Sequence, residues 1–135
     1  MTESNNQIEM RKLSWGTGVH KIEAAVCICG TDVVVVLAGG TGYHIGAVAL
    51  GIPRPSLADS SQVSASASVL CVTGHQEDML ARNAARKIAA AIHCRVTVVA
   101  GIHIDKISTE DISQLIVNCK LLIKKIITDL NSLKK

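Results

Sequence analysis

The sequence predicts an α+β domain, a two-layer sandwich in which two helices lie on one face of a mainly antiparallel five-stranded sheet. Apolar segments with strand patterning precede and separate two stretches of helical periodicity, which predicts the order β-β-β-β-α-β-α. The hydrophobic fraction is 48%, yet Trp15 and Tyr43 are the only aromatic residues, so the core consists of aliphatic side chains. We expect a polar lead-in over 1–14 and a single domain over 15–135.

The first two predicted strands form a hairpin. Residues 19–29 alternate between apolar and polar, as a half-buried strand does. Gly30 and Thr31 follow, and glycine at the first central position suits a type II′ turn. Residues 32–38 (DVVVVLA) are apolar on both faces, which is typical of a strand in the middle of a sheet. Its second face would be covered by the lead-in or by a partner subunit.

Two further strands are predicted before the first helix. Residues 46–52 form one of them, and residues 63–72 alternate serine with apolar side chains. The segment 53–62 between them contains both prolines and is expected to be a surface loop. Thr73 and Gln76 have the spacing of a capping box, so we expect the first helix to begin there.

The remaining elements are a helix, a strand and a longer helix. The first helix is expected to bury Leu80, Ala84, Ile88, Ala91 and Ile92. Residues 95–100 then form the fifth strand, after a crossover. Ser108 is a suitable N-cap for the last helix, which keeps an apolar stripe to Leu133. Val117 and Leu121 widen this stripe, which fits either a subunit interface or a thicker core.

Composition excludes several functional classes. There are 14 basic and 11 acidic residues, and the basic ones concentrate in the last helix without aromatic neighbours, which argues against nucleic acid as a partner. No apolar run approaches the roughly 20 residues that span a bilayer, and the first residues are polar. The five cysteines lack metal-binding spacing, so we expect free thiols and a cytoplasmic location.

A glycine-rich loop follows the second predicted strand, with the sequence GGTGYHIG. Its glycines Gly40, Gly42 and Gly46 are spaced G-x-G-x-x-x-G, and no lysine follows them. The next segment is predicted to be a strand, whereas both common phosphate-binding loops open a helix. The loop is therefore not a standard nucleotide-binding motif, and its distinctive side chain is that of His44.

Three histidines lie beside glycine where predicted strands end. They are His44, His75 and His103, and they would meet at one rim if those strands end at the same sheet edge. Together they could bind a divalent metal and leave a position open for water. In such an enzyme Glu77 would be the best-placed general base. His20 has no comparable setting, and neither does His93, so both are expected to be structural.

These loops resemble a known family, the small accessory D subunit of gallate decarboxylase, described as prenylated-flavin chaperone-like. The matching motifs are GGTGYHIG (39–46), GHQEDMLARNAARKIA (74–89) and TVVAGIHIDKIS (97–108). They occur in the family's order with similar gaps, and the similarity covers roughly residues 20–110. Two positions depart from the family pattern: Tyr43 stands where proline is usual, and Ala47 where an acidic residue is frequent.

The resemblance implies a ligand-binding set at the matching positions. That set comprises Gly39, Gly40, Thr41, His44, Gly46, His75, Arg82, Gly101 and His103.

It further implies an accessory, chaperone-like subunit without catalytic activity of its own. The partner would be the large subunit of a prenylated-flavin-dependent aromatic-acid decarboxylase. Prenylated FMN would be held only transiently or shared with that partner, because the chain has almost no aromatic side chains. We also expect a homo-oligomer, formed through the C-terminal helix or the sheet face. The alternatives are a small metal-dependent, hydrolase-like enzyme that uses His44, His75 and His103, and a purely structural oligomerisation module.

Overall fold

A computed structural model describes residues 6–72 and 77–134. Its elements are β1 (Ile8–Trp15), a 3₁₀ turn (Gly18–His20), β2 (Ile22–Cys29), β3 (Asp32–Gly40), β4 (Ala47–Pro55), β5 (Val63–Cys71), α1 (Asp78–Ile92), β6 (Val96–His103) and α2 (Thr109–Ser132). The two helices and the predicted strands are all present. The expected capping box at Thr73 and Gln76 lies outside the described residues. Neither α1 nor α2 is long and apolar enough to cross a bilayer.

The sheet has six strands in the order β1-β2-β3-β6-β4-β5, and it is mixed. The pairing of β3 with β6 is parallel, while the other neighbouring strands are antiparallel. The prediction of five mainly antiparallel strands is therefore right in class but wrong in number. The β2–β3 hairpin is confirmed: Gly30 has φ 62° and Thr31 keeps a negative φ, as a type II′ turn requires.

The missed strand is β1, which lies within the supposed polar lead-in. It pairs with β2 along its whole length, from Ile8 opposite Cys29 to Trp15 opposite Ile22. A bidentate ion pair, 2.6 and 3.0 Å long, joins Arg11 to Asp129 of α2. Ile8 and Met10 are exposed, and Glu9, Arg11 and Lys12 are charged, so the sequence of β1 has no one-sided apolar alternation. Charged side chains are typical of edge strands.

The hydrophobic core lies between one face of the sheet and both helices. Inward-facing aliphatic residues of β2 to β6 form a single buried cluster with the apolar stripes of α1 and α2. Helix α1 approaches β4 closely, because Gly51 leaves room against the backbone of Ala85. The small residues Ala81 and Ala85 are accordingly buried, whereas Ala91, expected in the stripe, is exposed.

The opposite face of the sheet is uncovered in the described chain. Val36 is 40% exposed, Leu50 40% and Ile52 47%, although all three lie on central strands. The expectation that DVVVVLA is covered on both faces is therefore not met within one chain. Residues 8–15 pair at the edge of the sheet instead of folding across it.

The start of α2 is held by reciprocal hydrogen bonds. The backbone N–H of Asp111 donates to the Ser108 hydroxyl (3.0 Å), and the Ser108 N–H donates to the Asp111 carboxylate (3.1 Å), which is a capping box. The predicted N-cap is thus confirmed. His20 was expected within a strand; it lies in the 3₁₀ turn, with its ring 2.7 Å from Asp111 Oδ1. The hydrogen bond with His20, and to a smaller extent those with Ser108, lower the pKa of Asp111.

Replacing Asp111 with asparagine should make the stability of the protein less dependent on pH. Because the pKa of Asp111 is lower in the folded chain, its carboxylate contributes stability at neutral pH. That contribution is lost as the pH falls through the lowered value. Urea unfolding from neutral pH to about pH 3 should show Asp111→Asn destabilised at neutral pH and converging with the wild type in acid. Glu110→Gln, the same charge change in an exposed first-turn residue, is the control; equal behaviour of the two variants would contradict the assignment.

Candidate functional site

The candidate site forms where β3 and β6 end side by side. Gly40 is paired with His103 in the parallel register, so the loop 41–46 begins directly beside the end of β6. That loop folds back over β6. The Thr41 N–H donates to the His103 carbonyl (2.7 Å), and the Gly46 N–H donates to the Ala100 carbonyl (2.9 Å). The two glycine-histidine motifs therefore form one structural unit.

Glycine is needed at two positions of this unit. A side-chain carbon at Gly101 would overlap the carbonyl oxygen of His44, because the loop backbone lies directly on β6. Gly40 has φ 81°, and a side chain there would overlap the His103 carbonyl. Gly40 and Gly101 thus allow the loop backbone and the β6 backbone to touch. The loop contains His44, and β6 ends at His103. In this arrangement the glycines do not form a phosphate-binding nest at a helix start.

His44 is held by a carboxylate. Its Nε2 lies 2.8 Å from Oε1 of Glu77, the residue that precedes α1, and the two side chains are only 23% and 13% exposed. The ring of His103 is close by, at 6.1 Å between centroids and nearly perpendicular to that of His44. The expected convergence is therefore seen for two of the three histidines, while His75 lies outside the described residues.

His103 has its own acidic neighbour. Its Nε2 lies 3.0 Å from Asp105 Oδ1, and both side chains are solvent-accessible. Thr41 supports this turn: its hydroxyl donates to the His103 carbonyl and accepts from the Asp105 N–H, each at 3.3 Å. A carboxylate beside an imidazole fixes the orientation of the ring. The two imidazoles of the site are therefore held in place by acidic neighbours, one in a largely buried setting and one in a solvent-accessible setting.

Other expected members of the site are placed elsewhere or have different partners. Arg82 is exposed and makes no ion pair within residues 6–72 and 77–134. The hydroxyl of Tyr43, at the family's proline position, donates to Glu23 of β2 at 2.5 Å, which raises the pKa of the phenol. Gly39 packs on Ile22, and the backbone of Gly46 lies against the Glu77 carboxylate, so both position the loop.

The described residues do not support the metal hypothesis. Among residues 6–72 and 77–134, no group of three or more His, Cys, Asp or Glu side chains is arranged to hold a metal ion. Glu77, considered as a general base, lies with its Oε1 2.8 Å from His44 Nε2, and its role as a base stays a prediction. The contribution of His75 stays a prediction, since that residue is outside the described part.

A groove that the sequence did not predict opens beside this rim. It lies between α1 and α2 over the end of β6, with a volume of about 730 Å³. Glu77 and His103 line one part of it, Lys87 and Lys120 line it from the two helices, and much of its wall is isoleucine. The periodicity of α1 and α2 predicts core or interface positions for their apolar residues. It cannot show that the apolar stripes of the two helices separate and leave a groove between them.

The fold and the site together define a small α+β protein with two neighbouring carboxylate-paired histidines, one of which, His103, also lines an apolar groove. Residues 16–131 match the family model described as prenylated flavin chaperone LpdD-like domain. The chain belongs to this family, as its three motifs indicated.

The comparison with solved structures supports the fold. One similar structure is described as a "novel chaperone complex for yeast 20S proteasome assembly", with a TM-score of 0.58 and 14% sequence identity. The similarity covers 93% of this chain and 96% of that one. At this identity the likeness concerns the fold alone. The search of curated proteins found no match.

A side chain at Gly101 should disrupt the site and destabilise the protein. Gly101→Ala places a methyl group against the His44 carbonyl, and overpacking of this kind costs about 1–3 kcal/mol. Gly42→Ala is the matched control, because the nearest atom to its new carbon, in the His103 ring, is 3.6 Å away. Urea unfolding and the imidazole NMR signals of His44 and His103 measure the two effects. If the variants are equally stable, the close approach of the loop to β6 is wrong.

Proposed function

We propose that this protein is an accessory, chaperone-like subunit that assists a prenylated-flavin-dependent aromatic-acid decarboxylase by handling the cofactor at the histidine rim. The observation that carries the proposal is the family match, which spans 16–131 and so includes His44, His103 and the groove. The decarboxylation chemistry is supplied by the flavin when it is bound to the large subunit. The residues of this chain bind, orient and release the cofactor.

The residues present fit such a ligand. Prenylated FMN combines a phosphate, a pyrimidine edge that gives and takes hydrogen bonds, and an apolar ring system enlarged by the prenyl group. The rim offers imidazoles held by Glu77 and Asp105, and the groove offers an isoleucine wall. The wall has no aromatic side chain to stack on the flavin ring, which suits a transient complex better than a permanent one.

Cofactor transfer tests this function directly. The decarboxylase large subunit without cofactor is mixed with prenylated FMN, and its decarboxylation rate is followed with and without this protein. We expect faster activation with the wild type and at least a tenfold smaller effect with His44→Ala/His103→Ala, which removes both imidazoles from the rim. His93→Asn is the control, because it keeps the left-handed backbone at the end of α1. The proposal fails if the wild type neither accelerates activation nor co-purifies with the large subunit.

We further propose that the protein forms a homo-oligomer through the open sheet face, in preference to the C-terminal helix. Val36 lies on this face directly opposite two uncharged residues, Ala25 of β2 and Val99 of β6. Contiguous exposed apolar patches mark interaction sites on proteins. On α2, Val117 (48%) and Leu121 (37%) are also exposed, but each has a lysine three residues further along the helix, Lys120 and Lys124.

Charge placed on the sheet face should separate the subunits. Val36→Lys should shift the sedimentation coefficient to that of a monomer, because a buried unpaired ammonium group is strongly unfavourable. Val117→Lys places the same charge on α2 and should leave the assembly unchanged. Circular dichroism confirms that both variants fold. A monomeric wild type, or dissociation by Val117→Lys alone, would show that the sheet face is not the interface.

A further inference from the structure

We propose that the groove between α1 and α2 is the flavin site itself, with the phosphate bound between Lys87 and Lys120 and the pyrimidine edge directed to His103 and Glu77. The apolar ring and prenyl group would then lie along the isoleucine wall. This inference rests on the proposed function and specifies where and how the cofactor is held.

The proposed orientation of the ligand along the groove follows from the position at which the two helices begin. Both helices start at the sheet edge that carries the histidines: α1 follows Glu77 directly, and α2 follows Ser108, a few residues beyond the end of β6. Lys87 is ten residues beyond Glu77, which places its backbone roughly 15 Å from that rim at about 1.5 Å per residue. A flavin mononucleotide is an elongated molecule of comparable length, so it can reach both ends of the groove.

The charges of the lining are divided between those two ends. Lys87 and Lys120 line the groove from opposite helices, and neither forms an ion pair with the described residues. Among the described residues that line the groove, Glu77 is the only acidic one, and it is paired with His44 at the rim. A ligand with an anion at one end and a neutral hydrogen-bonding edge at the other is complementary to this arrangement.

The wall between the ends is neutral and apolar. Ile102, Ile112 and Ile116 contribute to it from β6 and α2. Cys119 also lines it, and burial raises the pKa of this thiol to about 12, so it remains protonated and uncharged near neutral pH. The volume of about 730 Å³ lies within the 300–1,000 Å³ range of small-molecule sites. An aliphatic wall accepts the apolar ring and the prenyl group by burial alone.

Equilibrium binding of FMN, prenylated FMN and riboflavin to the full chain tests the position of the phosphate. Flavin fluorescence or calorimetry gives the dissociation constants without any enzymatic turnover. Lys87→Ala/Lys120→Ala should weaken FMN and prenylated FMN at least tenfold and leave riboflavin, which has no phosphate, unchanged. Lys12→Ala/Lys124→Ala removes two exposed lysines outside the groove and should alter none of the constants, which controls for net charge.

A second variant tests the apolar wall. Ile116→Ser, at a half-exposed position, should weaken prenylated FMN more than FMN, because only the former has the added prenyl carbons. Unchanged binding of the phosphate-bearing flavins to both the lysine and the isoleucine variants overturns the groove assignment. The groove assignment is also overturned if Ile116→Ser dissociates an oligomer while flavin binding is unaffected. That result would identify a second copy of the chain as the occupant of the groove.

The two proposals fail in different ways. If the wild type binds prenylated FMN and activates the decarboxylase but the groove variants behave like it, the function stands and the groove site is wrong. If the wild type binds none of the three flavins, the cofactor-handling function fails and the groove assignment fails with it.

Discussion

The parallel pairing of β3 with β6 is the constraint on which the rest of this structure depends. It inserts β6 between the β1–β2–β3 meander and the β4–β5 hairpin, and so joins two halves that are separate in the sequence into one sheet. Because parallel neighbours end at the same edge, Gly40 and His103 are brought together. The loop after β3 then has to pass over β6, which is possible only because Gly101 has no side chain. One pairing thus determines both the continuity of the core and the assembly of the histidine rim.

The same pairing explains why the groove and the rim adjoin each other. Strands β5 and β6 both pair antiparallel with β4 and so run parallel, and the crossover between them contains a helix, α1, as such connections usually do. Helix α1 therefore starts at the edge where β6 ends, and α2, which follows β6, starts there as well. The two helices carry apolar stripes for the sheet, but over the end of β6 they leave a gap lined by residues such as Ile112 and Ile116. An apolar groove that opens at a polar rim is the outcome, and it matches a ligand that is itself partly apolar and partly polar.

The site illustrates what local motifs can and cannot show. His44 and His103 were found through their glycine neighbours, since glycine beside a strand end signals a close backbone approach. The sequence does not predict the carboxylates that hold these histidines. No pattern marks Asp105, and Glu77 is suggested only as a general base. Hydrogen-bond partners 33 residues apart, such as His44 and Glu77, leave no periodic signal in one sequence. Lys87 and Lys120, which line the groove, are not marked by the sequence either, because each alone has the pattern of an ordinary solvated lysine.

By itself, the sequence determined the two helices, the strands after residue 19, the N-cap at Ser108, the aliphatic core and the family, because periodicity, capping and contiguous motifs are local properties of the chain. Only the tertiary structure decided the strand order, the parallel register of β3 and β6, the edge strand β1 and the uncovered sheet face. These depend on contacts between residues far apart along the chain. Strand β1 is the clearest case: its residues become a strand through pairing with β2 and the ion pair of Arg11 with Asp129, neither of which its own polar pattern indicates.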